Sequence, residues 1–234
     1  MKVIKQSWTF ESLPGNVLEA IEKVGRTCYK TEEKIVPGTA EKFVKKIIES
    51  GHLSVIEHVN VSVRIITDRG VTHELVRHRL AAYSQESTRY CNYSQEKFGN
   101  EITVILPVWF YSLNVDETIE KLDTDSAAII LPGNVIEEQF VRWLWAMRQC
   151  EYVYFDLLKL NQTPQEARAV LPNSLKTEIV VTANLREWRH ILTLRISKAA
   201  HPQIRELMIN ILEGFKKDIP IIFDDIHKKG ENYV

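Results

Sequence analysis

The chain has 234 residues, with 30 Lys and Arg against 31 Asp and Glu, a net charge of -1 and a pI near 6.7. This balance argues against a long nucleic-acid track and against a polybasic membrane anchor, while the length allows one elaborate domain or two small ones. No apolar run approaches the roughly 18 residues of a membrane helix, the start MKVIKQSWTF lacks a signal-peptide core, and Cys28, Cys91 and Cys150 form no CxxC pair, so a reduced cytoplasmic setting without disulfides or a thiolate metal cage is expected.

The first ten residues read as an edge strand, and Asn16 to Lys30 as a helix. A second helix is predicted over 38–51, with Phe43, Val44, Ile47 and Ile48 on one face and Gly51 as its stop. The period then changes to two. Val59, Val61, Val63 and Ile65 alternate with Asn60, Ser62 and Arg64, as in a half-buried strand. A short helix over roughly 70–79 is expected to carry Arg77-His78-Arg79 at its C-terminal end, where cations suit the helix dipole. Ile102 to Leu106 reads as a strand closed by Pro107, and 112–132 as a variable connection.

A long helix follows over about 135–160. Asn134 and Glu137 make a capping-box-like start, and Ile136, Phe140, Trp143, Met147, Cys150, Tyr154 and Leu157 form a buried stripe. Thr163-Pro164-Gln165-Glu166 opens a short helix that Pro172 ends. Residues 175–183 favour a strand, and Asn184 caps a helix to about 196. The last clear helix starts at Pro202, with Ile204, Leu207, Met208, Ile211, Leu212 and Phe215 at helical spacing. Strands of alternating polarity separated by unequal helices point to an α+β fold, a largely antiparallel sheet packed with helices including one long helix.

The chemistry concentrates in RHRLAAYSQESTRY, residues 77–90. Positive groups clustered on a near-neutral chain suggest a pocket for a small anion. None of the nine glycines makes GxGxxG or GxxxxGK[ST], so side chains must hold any nucleotide phosphates, a task that suits the planar fork of arginine. A metal site is not expected. His73-Glu74 and His78 miss HExxH by one residue, and positions five apart on a helix diverge by roughly 140°. His52 and His58 lie six apart across a loop-to-strand junction, and against a metal role for them stands the reading of Glu57 and His58 as hydrogen-bonded anchors at a strand start. Cys91 reads as an inert small hydrophobe more than a nucleophile, and Ser87 as a ligand hydroxyl with no His-Asp partner spacing. The second half adds Arg168 in ARAVLP, Asn184, Arg186 and His190 in NLREWRH, and Arg195, which falls in register with Trp188 and Leu192. An arginine ending an apolar stripe either snorkels to water or is buried against a polar ligand.

RHR, seven residues, Ser87, and then Arg89-Tyr90 resembles the signature of flavin-dependent thymidylate synthases. GHLSVIEH at 51–58, ARAVLP and NLREWRHILTLR resemble further segments of that family in the same order, over about residues 50–205. The resemblance implies a single domain over 1–234 that makes dTMP from dUMP. Methylenetetrahydrofolate would give the carbon, FAD the hydride, and NADPH would recharge the flavin. By resemblance, Ser54, Arg77, His78, Arg79, Gln85, Asn184, Arg186 and His190 would hold FAD. Glu74, Arg77, Gln85, Ser87, Thr88, Arg89, Arg168 and Arg195 would hold dUMP, with Arg195 the catalytic group at the pyrimidine N3 and O4 edge. His52 is a candidate neighbour of the flavin or folate ring. Some members carry an Asn-Glu pair where this chain has Ser84-Gln85, and Asn where His190 stands. The resemblance also implies a homotetramer with active sites shared between subunits. Neither nucleic acid nor membrane is expected as a partner.

Overall fold

A computed structural model describes residues 1–115 and 135–231, with side chains to residue 226. The main elements, in chain order, are β1 (Lys2–Ile4), β2 (Ser7–Ser12), α1 (Val17–Tyr29), α2 (Thr39–Glu49), β3 (Asn60–Asp68), α3 (Arg69–Leu75), β4 (Ala82–Gln85) and β5 (Thr103–Ile105). They continue with α4 (Val135–Lys159), α5 (Pro164–Ala167), β6 (Lys176–Asn184), α6 (Leu185–Arg195), α7 (Pro202–Asp218) and α8 (Pro220–Glu231). The fold is mixed, with an antiparallel sheet and one long helix, as expected. The chain divides into two compact units. One comprises residues 1–6, 66–73 and 85–178, and the other 7–65, 74–84 and 179–234.

In the first unit β1 pairs in parallel with β5, Lys2 opposite Thr103 and Ile4 opposite Ile105. The stripe of α4 closes two apolar clusters. Met147 and Tyr154 pack with Tyr93, Ile102, Val104 and Leu175, while Phe140 and Leu144 pack with Leu106 and Phe110. Trp143, Cys150 and Leu157 are only half-buried, and Ile136 is exposed. The expected connection over 112–132, beyond residue 115, and the cap at Asn134 lie outside the described residues. At α5 the capping box forms as its sequence predicts: the Thr163 N–H and hydroxyl both donate to Glu166 Oε2, at 2.8 and 2.6 Å.

The four-stranded sheet has the order β2-β3-β6-β4. In the second unit the alternation read from the sequence becomes burial. Val61, Val63 and Ile65 of β3 and Ile179 and Val181 of β6 are fully enclosed, while Ser62 and Thr182 share a 2.7 Å hydroxyl bond. Trp188 pins α6 to the sheet by donating from Nε1 to Val61 O at 2.9 Å. All six apolar positions read for α7 are buried. Two expectations need correction here. The helix from Pro202 is not the last: α8 follows, burying Ile222, Phe223 and Ile226. Pro220 opens that helix, since proline is tolerated in a helix's first turn, where its missing N–H has no partner to lose. In addition, α3 ends at Leu75 rather than near 79, so the basic triplet lies in the turn after it. That turn is made by Arg77 N–H to Glu74 O and His78 N–H to Leu75 O, and the Tyr83 hydroxyl closes it with bonds of 2.7 and 2.8 Å to the carbonyls of Leu75 and His78.

Gly214 in α7 lies directly under the Trp8 indole, and a Cβ there would overlap that ring. Trp8 has little room to retreat, because Trp8, Phe10 and Phe215 stack edge to face with centroids 5.2 and 5.1 Å apart. Gly214→Ala is expected to cost about 1–3 kcal/mol through overpacking. Urea denaturation measures this, and an unchanged midpoint would show that Trp8 yields freely.

Candidate active site

In the second unit the turn after α3 brings three sequence-selected residues together. Arg195, on the last turn of α6, donates from Nη1 to Glu74 Oε2 at 2.7 Å, from Nη2 to the Glu74 carbonyl at 2.9 Å, and from Nε to His78 Nε2 at 3.0 Å. It is an enclosed cation with specific acceptors, not a snorkelling surface arginine: its side chain is 19% exposed. A guanidinium has five N–H donors, so three such bonds leave two N–H groups, one on each terminal nitrogen.

His78 differs from its sequence reading as an anion-binding cation. Its ring is buried. Burial, then the charge of Arg195, then His190, hold its pKa down to about 4 from an ordinary 6.5. It is therefore neutral at pH 7 and supplies a lone pair to Arg195. Because Nε2 accepts, the ring proton sits on Nδ1, facing Glu187 Oε1 at 3.8 Å. Burial raises the pKa of the Glu187 carboxyl. His78, Glu187 and His190 are the one trio among the described residues with ligand atoms close enough to surround a metal ion. The protonated Nδ1 and the Arg195 charge both oppose a cation there.

His190 meets His78 edge to face, with ring centroids 5.8 Å apart, so the basic triplet abuts α6. Asn184 caps that helix, its Oδ1 accepting from Glu187 N–H at 2.8 Å. Arg77 and Arg79 are exposed and have no ion-pair partner among the described residues. Arg186, by contrast, pairs with Glu57 at 2.5 Å on an exposed face. Ser54 and His52 are exposed at the turn Leu53–His58, and Tyr29 Oη lies 3.3 Å from His52 Nδ1.

The remaining sequence-selected residues lie in the first unit. Arg168 Nη1 donates to Thr88 Oγ1 at 3.1 Å, and the two line a cavity of about 440 Å³ with Arg69, His73 and Gln165. Arg69 was not singled out by sequence, and His73 was weighed there only as a metal ligand; their position on the cavity wall is what marks them. Ser87 is half-buried, with its Oγ accepting from Arg89 N–H at 3.3 Å; Arg89 is exposed beside the Tyr90 ring. The Gln85 amide donates to the hydroxyls of Thr72 and Thr177, at 2.9 and 3.1 Å. The Thr72 hydroxyl in turn donates to Arg69 O, so its lone pair faces Gln85; this fixes the amide orientation and leaves Gln85 Oε1 as the acceptor available to a ligand. Cys91 remains a thiol, since burial raises its pKa.

His78 generates a pH test. Its proton is taken up more readily by the unfolded chain, so its share of stability is complete above about pH 6.5 and declines as pH falls towards 4. His78→Gln lacks this titration but retains Glu187 and His190. The stability advantage of wild type over the variant should shrink between pH 7 and pH 4.5 in denaturant titrations. A constant difference would show that the ring is not held neutral.

Residues 14–221 match the family described as thymidylate synthase complementing protein. The chain is 34% identical over 225 residues to a flavin-dependent thymidylate synthase of Mycobacterium avium, covering 93% of this chain and 82% of that protein. It is 31% identical, with the same coverage, to one of Corynebacterium diphtheriae. Its fold is similar to that of a UMP/dUMP methylase, PolB from Streptomyces cacaoi bound with 5-Br UMP, with a TM-score of 0.72, 18% identity, and coverage of 98% of this chain and 97% of that one. With the match spanning all but the two ends of the sequence, the chain belongs to the thymidylate synthase complementing protein family.

Proposed function

We propose that this protein is a flavin-dependent thymidylate synthase, a methyltransferase that converts dUMP to dTMP with methylenetetrahydrofolate as carbon donor and NADPH as the source of reducing equivalents. The observation that carries the reading is the Arg195 guanidinium, enclosed and held by Glu74 and His78, in a chain of this family.

The residues present fit a flavin dinucleotide. Arg77 and Arg79 offer unpaired guanidinium groups to a diphosphate, and His78 with His190 joins their turn to α6, where Asn184 and Arg186 stand. Ser54, Gln85 and His190 complete the proposed FAD set, with His52 a candidate neighbour of the flavin or folate ring. Bound FAD supplies the hydride that turns the transferred one-carbon unit into a methyl group. Glu74, Arg77, Gln85, Ser87, Thr88, Arg89, Arg168 and Arg195 are the proposed dUMP set.

The role of Arg195 follows from its donors. A guanidinium donates and never accepts, so it can bond uracil O4 at once but N3 only after N3 has lost its proton. Its attraction to the base therefore grows as the ring gains negative charge, which is the differential binding that lowers a barrier. Glu74 and His78 hold the group in place beforehand, so little reorganisation accompanies the reaction. Enclosure strengthens the electrostatic contribution.

We further propose that residues 1–234 form one domain that assembles as a homotetramer with shared sites, in the cytoplasm. The repeated passage of the chain between its two units supports the first of these. Exposed Trp145, Tyr152 and Leu160 on and after α4 supply apolar surface for assembly. Three unpaired cysteines suit a reducing compartment, and no helix among the described residues is long and apolar enough to cross a membrane.

Purified protein should be yellow and release FAD on denaturation. Arg195→Ala should keep its flavin and lose dTMP formation by roughly 100-fold or more; substantial residual turnover would remove Arg195 from the mechanism. Arg79→Ala should lose flavin on dialysis, and an unchanged flavin-to-protein ratio would contradict the placement of FAD.

A further inference from the structure

Between Gln85 and Ser87, both in the proposed dUMP set, stands Glu86, a carboxylate to which the reading above gives no task. Its side chain is 11% exposed, and each oxygen is occupied. Oε2 accepts from Lys176 Nζ at 2.8 Å, and Oε1 accepts from the Tyr93 hydroxyl at 3.0 Å. Lys176 opens β6, and its ammonium also faces Glu178 at 3.9 Å. The backbone is held at the same place, since Glu86 N–H donates to Glu178 O at 2.8 Å. Tyr93 is anchored separately. Its ring is buried in the core of the first unit beside Phe98 and Tyr154, with centroids 5.3 and 5.9 Å away, and its N–H donates to Tyr154 Oη at 3.4 Å. Burial, then the charge of Glu86, raise the pKa of the Tyr93 phenol, so it keeps its proton and stays a donor.

The carboxylate therefore joins the first residue of the segment 86–93 to the last. Inside that clasp the chain turns tightly, with the N–H groups of Tyr90 and Cys91 both donating to Ser87 O at 3.1 and 2.9 Å. Stability alone is a poor account of the arrangement. Desolvating a carboxylate and an ammonium offsets most of their attraction, and apolar side chains of similar volume would fill the space as well. What the network adds is direction, because each of its bonds fixes one geometry. We propose that Glu86 is a positioning residue for dUMP: shared between Lys176 and Tyr93, it closes the ends of 86–93 on each other and so presets Ser87, Thr88 and Arg89 between them. The role rests on the dUMP reading above. A segment already closed loses little conformational entropy when the nucleotide enters, whereas an open one must be ordered at the expense of affinity. Glu86 acts through the turn and not on the base, so the effect falls on dUMP binding and not on the chemical step.

The test uses the flavin-loaded protein and compares wild type, Tyr93→Phe, Glu86→Gln and the double variant. Tyr93→Phe removes one hydroxyl and keeps the ring in the core; Glu86→Gln keeps the shape and removes the charge. Calorimetry gives the Kd for dUMP, and steady-state assays with the other substrates saturating give KM and kcat. Each single variant should raise Kd and KM roughly 10-fold and leave kcat within about twofold. The double variant should lose no more than the larger single loss, since both substitutions break one clasp. Backbone amides 87–92 should exchange hydrogen faster in Tyr93→Phe than in wild type without dUMP, and equally at saturating dUMP. The melting temperature of each variant reports whether it has folded. A lowered melting temperature with wild-type dUMP affinity and exchange would mark a purely structural network and overturn the proposal, leaving the thymidylate synthase reading intact. So would a loss of kcat at unchanged KM. A wild type that does not bind dUMP would overturn the substrate reading, and this role with it.

Discussion

The bond between the Nε–H of Arg195 and the lone pair of His78 constrains the whole of its surroundings. It requires a neutral imidazole, since a protonated ring would have no lone pair to offer and would repel the guanidinium. Neutrality is secured by burial, and burial is secured by the turn that follows Leu75, which the Tyr83 hydroxyl ties at two carbonyls. Because that turn interrupts α3, His78 points inward while Arg77 and Arg79 on either side of it stay in solvent. One local break in a helix thus divides three adjacent residues into a structural acceptor and two free cations.

The same division of labour runs through the other arginines. Arg189 is consumed by Asp225 and serves to hold α8 against α6. Arg186 meets Glu57 on an exposed face, where an ion pair contributes little. Arg195 is bonded but keeps two donors, and Arg77 and Arg79 retain unfilled capacity. Charge alone does not make a residue functional in this chain. What distinguishes the candidates is a donor fixed in place by neighbours and left without a final acceptor.

Much of the fold was legible because its elements bury one face at a regular period. The alternation of Val61, Val63 and Ile65 and the i, i+3, i+4 spacing of Ile204, Leu207 and Met208 each admit one solution once an apolar face must be hidden. Capping at Thr163 and Asn184 was equally readable, since those side chains act on backbone groups two or three residues away. The end of α3 was not. Residues 76–79 are compatible with helix by composition, and the tyrosine that captures the turn lies eight residues beyond Leu75. The helix after Pro220 was missed because a proline that starts a helix and one that ends it look alike until packing against α7 is known.

The sequence by itself determined the complement of arginines, the lack of a glycine loop to cradle phosphate, the order of strands and helices along the chain, and the family to which that order belongs. Only the tertiary structure decided that His78 is neutral, that Arg195 is gripped by Glu74, and that Arg69 faces the same cavity as Arg168. The reason is physical. A residue's protonation and its spare hydrogen-bonding capacity depend on groups that folding brings near, such as Arg195 from 117 positions beyond His78, and on the water that folding removes.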